Sequence, residues 1–198
     1  MDSADHMTRS IEIAVAAIRG ADPARFSAPS PCSEYTVEQA VSHLAFGLLL
    51  AQRAGEREAW DPEWSGTDTA PYLVGEPAQR WGDLAARQAK ATARAWADPR
   101  AWEGATTFGG GEMPAAAVGS MMTAEFAVHA WDVAVATGQP IEVPAPLGET
   151  VLEGVLAIAP MGRDGGWFAP EVQVPGDAPA FVRALAASGR DPQWTPGD

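Results

Sequence analysis

Glu125-Phe126-Ala127-Val128-His129-Ala130-Trp131-Asp132 decides the fold and the chemistry expected of this chain. On a helix, residues four apart stack on one face, so Glu125 and His129 would present a carboxylate and an imidazole side by side. Asp132 follows at the next turn on nearly the same face. The flanking residues keep a helical period, with Val118, Met122, Phe126 and Val133 as apolar marks. This helix is expected to open at Pro114 and to end at Gly138, a natural left-handed stop after Thr137.

Working outward, Thr36-x-x-Gln39 reads as a capping box for a helix reaching about Gly55, with Val41, Leu44 and Leu48 on its core stripe. His43 lies inside it, bracketed by Ala40 and Gly47, small neighbours that predict room for a ligand. Two further helices are predicted. One runs from about Asp5 to Gly20 on Met7, Ile11, Val15 and Ile18; the other runs from Glu76-Pro77 to about Ala97 on Trp81, Leu84, Ala85 and Trp96. The links between them are long and rich in turn formers, and Gly109-Gly110-Gly111 reads either as a flexible loop that could admit substrate or as a plain exposed connector. An all-α bundle with long crossover loops is therefore expected over residues 1–140. Residues 141–198 are expected to form a small C-terminal α(+β) extension packing on the bundle: a helix over Leu147 to Ala159, a short strand over Glu171 to Val174, and a short helix over Pro179 to Ala187.

Bulk properties narrow the function. With 198 residues and 46% hydrophobic content, one core of ordinary size is expected. A formal charge of −13 repels phosphate, which argues against nucleic acid and anionic membrane surfaces as partners. No apolar run approaches the roughly 20 residues that span a bilayer. The segment MDSADHMTRS lacks the basic start and apolar core of a secretory signal. Cys32, the single cysteine, excludes an internal disulfide and a thiolate-cage zinc site. The expectation is a soluble cytoplasmic protein, monomer or homodimer.

Three histidines are present, and His6 falls at a helix start expected to fray. His43 and His129 lie well inside predicted helices, where a polar ring needs a partner. With Glu125 they offer two imidazole nitrogens and one carboxylate, a set suited to zinc and equally to nickel or iron. Three protein ligands leave an open coordination place. Simpler readings compete. A Glu-x-x-x-His pair also serves as a surface ion pair, a helical histidine can bond a carbonyl, and Asp132 can merely orient a histidine or face solvent. Periodicity alone does not bring the second and fourth helices together. Cys32 reads as a small packing residue, because a nucleophile would need a lowered pKa for which the helix start is the only visible source.

Three motifs carry a resemblance. Pro31-Cys-Ser-Glu-Tyr-Thr-Val-Glu-Gln-Ala-Val-Ser-His43-Leu is similar to the signature near the second helix of the DinB-like superfamily, in the actinobacterial branch related to mycothiol-dependent maleylpyruvate isomerase. Glu125-Phe-Ala-Val-His129-Ala-Trp-Asp132 resembles that branch's fourth-helix motif, and Ser-Gly-Arg190-Asp-Pro-x-Trp194 resembles the chain end of its shorter members. The resemblance implies a four-helix bundle in which His43, Glu125 and His129 bind a divalent metal, zinc first, with Asp132 orienting a ligand. Tyr35 stands where the branch usually has tryptophan. The isomerase proper carries a larger C-terminal domain with basic residues for substrate; Arg163 and Arg183 are the candidates for that task here, Arg163 as a catalytic residue. The function implied by the resemblance is that of a metal-dependent transferase or isomerase using a low-molecular-weight thiol, mycothiol, against an electrophilic small molecule. Trp102, Phe108 and Trp167 are expected around its mouth. A thiol-independent metal hydrolase or isomerase, and a non-catalytic metal- or ligand-binding bundle, remain the alternatives.

Overall fold

The computed structural model describes residues 2–64 and 66–196. Among them are six α-helices: α1 (Ser3–Gly20), α2 (Val37–Gly55), α3 (Trp81–Ala97), α4 (Ala115–Ala136), α5 (Ala145–Asp164) and α6 (Ala180–Ala187). Local chemistry sets the starts. Thr36 N donates to Gln39 Oε1 at 2.9 Å while Gln39 N donates to Thr36 Oγ1 at 3.4 Å, closing the expected capping box. At α1, Asp2 and Asp5 cap one another in the same way, and His6 is anchored rather than frayed, its Nδ1 2.7 Å from Thr150 Oγ1. Pro77 keeps an extended ψ of 139°, so a single 3₁₀ turn, Ala78–Arg80, intervenes and α3 begins later than its sequence pattern predicts.

Helices α1 and α2 each pack against both α3 and α4, which places α1 opposite α2 and α3 opposite α4 around one core. Sequential α1 and α2 are thus diagonal, and a long crossover must join them. Buried polar side chains tie the pairs together. Ser10 Oγ donates to the Thr123 carbonyl at 2.6 Å (α1 to α4), and Trp96 Nε1 donates to the Ala51 carbonyl at 2.7 Å (α3 to α2). Helix α5 lies on α4 and α1, and α6 lies on α5. Enclosed between α1, α2 and α5, helix α4 is apolar on nearly every face, with buried residues all round. Any charged group on it must find its partners inside.

Two expectations about chain texture are corrected. The glycine triplet belongs to an antiparallel hairpin, β1 (Ala105–Phe108) and β2 (Gly111–Pro114), pairing Phe108 with Gly111. Gly109 and Gly110 both take positive φ, 62° and 80°, as a two-residue hairpin turn of the right twist demands. Thr106 Oγ1 donates to the Ala54 carbonyl at 2.6 Å and pins the hairpin to α2. Residues 171–174 form no strand. Val172 N instead donates to the Ala186 carbonyl at 3.0 Å, so this extended segment finds its partner at a helix end. Helix α5 also continues through Pro160 to Asp164, past its expected end at Ala159. The proline costs one bond to the Leu156 carbonyl, at an exposed position where water can take its place. No helix is long and apolar enough to cross a membrane among the described residues.

Candidate metal centre

Adjacent packing of α2 and α4 brings His43 to Glu125 and His129. At Gly47, one turn beyond His43, a Cβ would meet α4 at ordinary contact distance, 3.4 Å from Met122 Cε and 3.5 Å from Phe126 Cε1. The space beside Gly47 is therefore filled by α4 side chains, and Ala40 is fully buried, so neither leaves the ligand room the sequence suggested.

One carboxylate oxygen is the meeting point. Glu125 Oε1 lies 2.7 Å from His43 Nε2 and 3.3 Å from His129 Nε2. The two imidazoles stand edge to face, their centroids 4.7 Å apart. One ligand atom from each of the three residues falls within 4.8 Å of the others. Both outer ring nitrogens are backed by oxygen. His43 Nδ1 faces Tyr35 Oη at 3.3 Å and Asp68 Oδ1 at 3.5 Å. His129 Nδ1 lies 3.0 Å from Asp132 Oδ2 but outside hydrogen-bond alignment. Asp132 is wholly buried and accepts from Arg190 Nη2 at 3.1 Å and Nε at 3.4 Å.

The electrostatics reflect this geometry. Burial works to raise the Glu125 pKa, but the electrostatic pull of His129 beside it and the hydrogen bond and charge of His43 overcome it and hold the carboxyl down at about 2. Burial likewise opposes charge on His43, yet hydrogen bonds from its ring to Asp68 and Glu125 raise it to about 9. Burial works against the Asp132 charge, but the Arg190 guanidinium and the His129 ring together outweigh it and hold the carboxyl below its ordinary range. His43 is favoured in its protonated form beside the Glu125 carboxylate. Two inward nitrogens, one inward carboxylate and carboxylate-backed outer nitrogens form the donor arrangement of a divalent-ion site.

Two loops complete the surround. Ser30 Oγ donates to the Tyr35 carbonyl at 2.8 Å and Tyr35 N donates to the Cys32 carbonyl at 2.9 Å, a tight turn that sets the Tyr35 ring 5.0 Å from His43. Ser42 Oγ accepts from Ala70 N and Tyr72 Oη donates to the Ala45 carbonyl, which clamps the 66–75 segment on α2 and leaves Asp68 over His43. Access is from this side: His43 and Glu125 side chains are 22% and 25% exposed, His129 only 8%. Phe46, one turn past His43, continues outward through Trp64 and Trp60 to Phe108, ring against ring at 5.8–6.1 Å. Trp102 packs elsewhere, against Trp96 and Gly119, and Trp167 is exposed against its own turn at Gly165. Burial pushes the Cys32 thiol up to about 11 despite the Arg190 charge, in keeping with a packing residue.

Arg163 is exposed at the end of α5 and donates to the Ala187 carbonyl at 3.1 Å, a contact that ties α5 to α6 rather than to the centre. The arginine that does reach the centre is Arg190, visible in the sequence only as part of a chain-end motif. Asp68 gave no sequence signal at all, since it lies in an irregular loop with no periodicity to place it.

Comparison with known proteins agrees with this architecture. The crystal structure of the mycothiol-dependent maleylpyruvate isomerase superposes with a TM-score of 0.58 at 18% identity, covering 80% of this chain and 70% of that one. The fold is accordingly that of the DinB-like helical bundles. Two uncharacterized proteins from strains of Mycobacterium tuberculosis, MT0763 and Rv0738, are each 29% identical over 166 residues, which make up 82% of this chain and 83% of theirs. The family model described as the mycothiol maleylpyruvate isomerase N-terminal domain matches residues 8–134, which include most of α1, all of α2 and α3 and the α4 residues Glu125, His129 and Asp132, and the chain belongs to that family.

Proposed function

We propose that this protein is a divalent-metal-dependent transferase or isomerase that uses a low-molecular-weight thiol, mycothiol by its family, to attack an electrophilic small molecule. The observation that carries the proposal is the convergence of His43 Nε2, His129 Nε2 and Glu125 Oε1 on one point, with both outer nitrogens backed by oxygen. His43, Glu125 and His129 would hold the ion, zinc before nickel or iron. A bound divalent cation lowers the pKa of a coordinated thiol and so supplies a thiolate near neutral pH.

The chain's own residues do the rest. Asp132 Oδ2 stands 3.0 Å behind the His129 ring at Nδ1, where it would orient the ring with Nε2 turned inward. Tyr35 and Asp68 do the same for His43 from the solvent side. The half-open edge beside Tyr35 and Asp68 is where thiol and electrophile would enter, and the buried His129 side excludes water. On this reading residues 1–140 carry the metal ligands and residues 141–198 are an extension packed on them.

The test is metal content by plasma mass spectrometry on untagged wild type and His129→Ala, followed by thiol-conjugation assays. About one ion per chain, lost in the variant, and a metal-dependent conjugate with an epoxide, enone or alkyl halide are expected. No metal taken up by wild type would sink the site. Metal-dependent turnover that needs no thiol would move the reading to a hydrolase or thiol-free isomerase.

A further inference from the structure

We propose that Arg190 is a positioning residue of the centre: its guanidinium fixes Asp132 and, through it, the orientation of His129 toward Glu125 and His43. This rests on the metal-centre reading above and assigns a role to a residue outside the stretch, 8–134, that the family match covers.

The fold of the chain end delivers this side chain. At the end of α6 the backbone closes in a helix-terminating turn, with Gly189 N donating to the Ala186 carbonyl at 3.0 Å and Arg190 N to the Leu185 carbonyl at 2.9 Å. Gly189 takes φ of 83°, and a Cβ there would lie 2.7 Å from both the Cβ and the carbonyl oxygen of Ala169. Only glycine lets the chain reverse at that point and send Arg190 back into the bundle. There Arg190 is 5% exposed, forks onto both Asp132 oxygens, and directs a third donor to the Ser188 carbonyl at 3.2 Å.

The alternative is a plain structural pair locking the chain end to α4. Two observations favour positioning. Asp132 Oδ2, the oxygen held by Arg190 Nη2, is the same oxygen that lies 3.0 Å from His129 Nδ1. A two-pronged guanidinium fixes the plane of the buried carboxylate and with it which oxygen faces the ring nitrogen. His129 and Asp132 are also three residues apart on α4, so the ring and the carboxylate that Arg190 grips share one helical turn.

The experiment is zinc affinity of the full-length protein, measured by competition with a chelating indicator, with folding checked by circular dichroism. Wild type, Arg190→Met, Arg190→Lys, Asp132→Asn and the Asp132→Asn/Arg190→Met double variant are compared. Zinc is expected to bind about 10- to 100-fold more weakly to Arg190→Met, with Arg190→Lys in between. Asp132→Asn should be weakened too, and adding Arg190→Met to it should cost nothing more. Folded Arg190→Met that binds zinc as wild type does overturns the proposal while leaving the metal site intact. So does a full further loss in the double variant. Should Arg190→Met fail to fold, the double variant, which leaves no buried carboxylate unpaired, decides against Asp132→Asn: equal affinity supports the proposal and further loss overturns it. Wild type that takes up no zinc removes the metal reading, and this inference with it.

Discussion

Nε2 of His43 lies 2.7 Å from Oε1 of Glu125, a residue 82 positions along the chain and on the neighbouring helix. His129 approaches the same oxygen from one turn further along α4. The raised pKa of His43 favours a proton at this crossing point, and a metal ion bound there would displace it.

That competition sets a pH dependence. His43 is raised from 6.5 to about 9, so its contribution to metal-free stability is complete below pH 6.5 and is lost as pH rises through about 9. Glu125 is depressed from 4.5 to about 2, so its contribution is present above 4.5 and lost as pH falls through about 2. These are two views of one interaction, which is strongest between pH 4.5 and 6.5. Metal-free protein should therefore lose thermal stability between pH 6.5 and 9, while zinc affinity rises over the same range because fewer protons are displaced. Thermal melts with and without zinc across this range check both slopes; a metal-free melting temperature that climbs would contradict the protonation of His43.

Loading and stripping the centre should move stability. Free zinc at about 100 times its dissociation constant is expected to stabilise the fold by about 2.7 kcal/mol. The gain should vanish with a chelator and be absent in His129→Ala, as read from melting temperatures at fixed pH.

Two helical glycines should respond in opposite ways to alanine. At Gly47 a Cβ meets Met122 and Phe126 at ordinary contact distance, so Gly47→Ala should be neutral or stabilising by up to about 1 kcal/mol from helix propensity. At Gly119 a Cβ would fall 2.4 Å from the Trp102 ring, whose indole N–H is committed to the Trp96 carbonyl. Gly119→Ala should cost about 1–3 kcal/mol through overpacking. Denaturant midpoints of the two variants give the comparison directly.

Cys32 should be a poor nucleophile. A thiol raised from 9.0 to about 11 holds about a hundredfold less thiolate at neutral pH than an unperturbed one. Alkylation by iodoacetamide at about pH 7.5 is expected to be correspondingly slow, and Cys32→Ala should keep its metal and its activity. Fast alkylation, or a Cys32→Ala variant that binds metal yet loses activity, would assign the thiol a chemical role.

Much of this was legible in the residues themselves. Apolar spacing and the Thr36–Gln39 capping box marked α2, and the stripe from Val118 to Val133 with its glycine stop marked α4. The i, i+4 spacing alone put Glu125 and His129 on one face, because helical period and capping are local properties written in neighbouring residues. Turn geometry was local too, but it depended on both Gly109 and Gly110 taking positive φ, and the hairpin passed as a loop. What the residues did not carry was adjacency. An apolar stripe accepts many partners, so only the packed bundle set α2 beside α4 and gave His43 its carboxylate. Only the closed chain end brought Arg190 to Asp132 across 58 residues, and only a clamped loop laid Asp68 on His43. Proximity then decided the charges, since burial opposed ionisation of Glu125 and His43 and only the partners that packing brought to them overcame it.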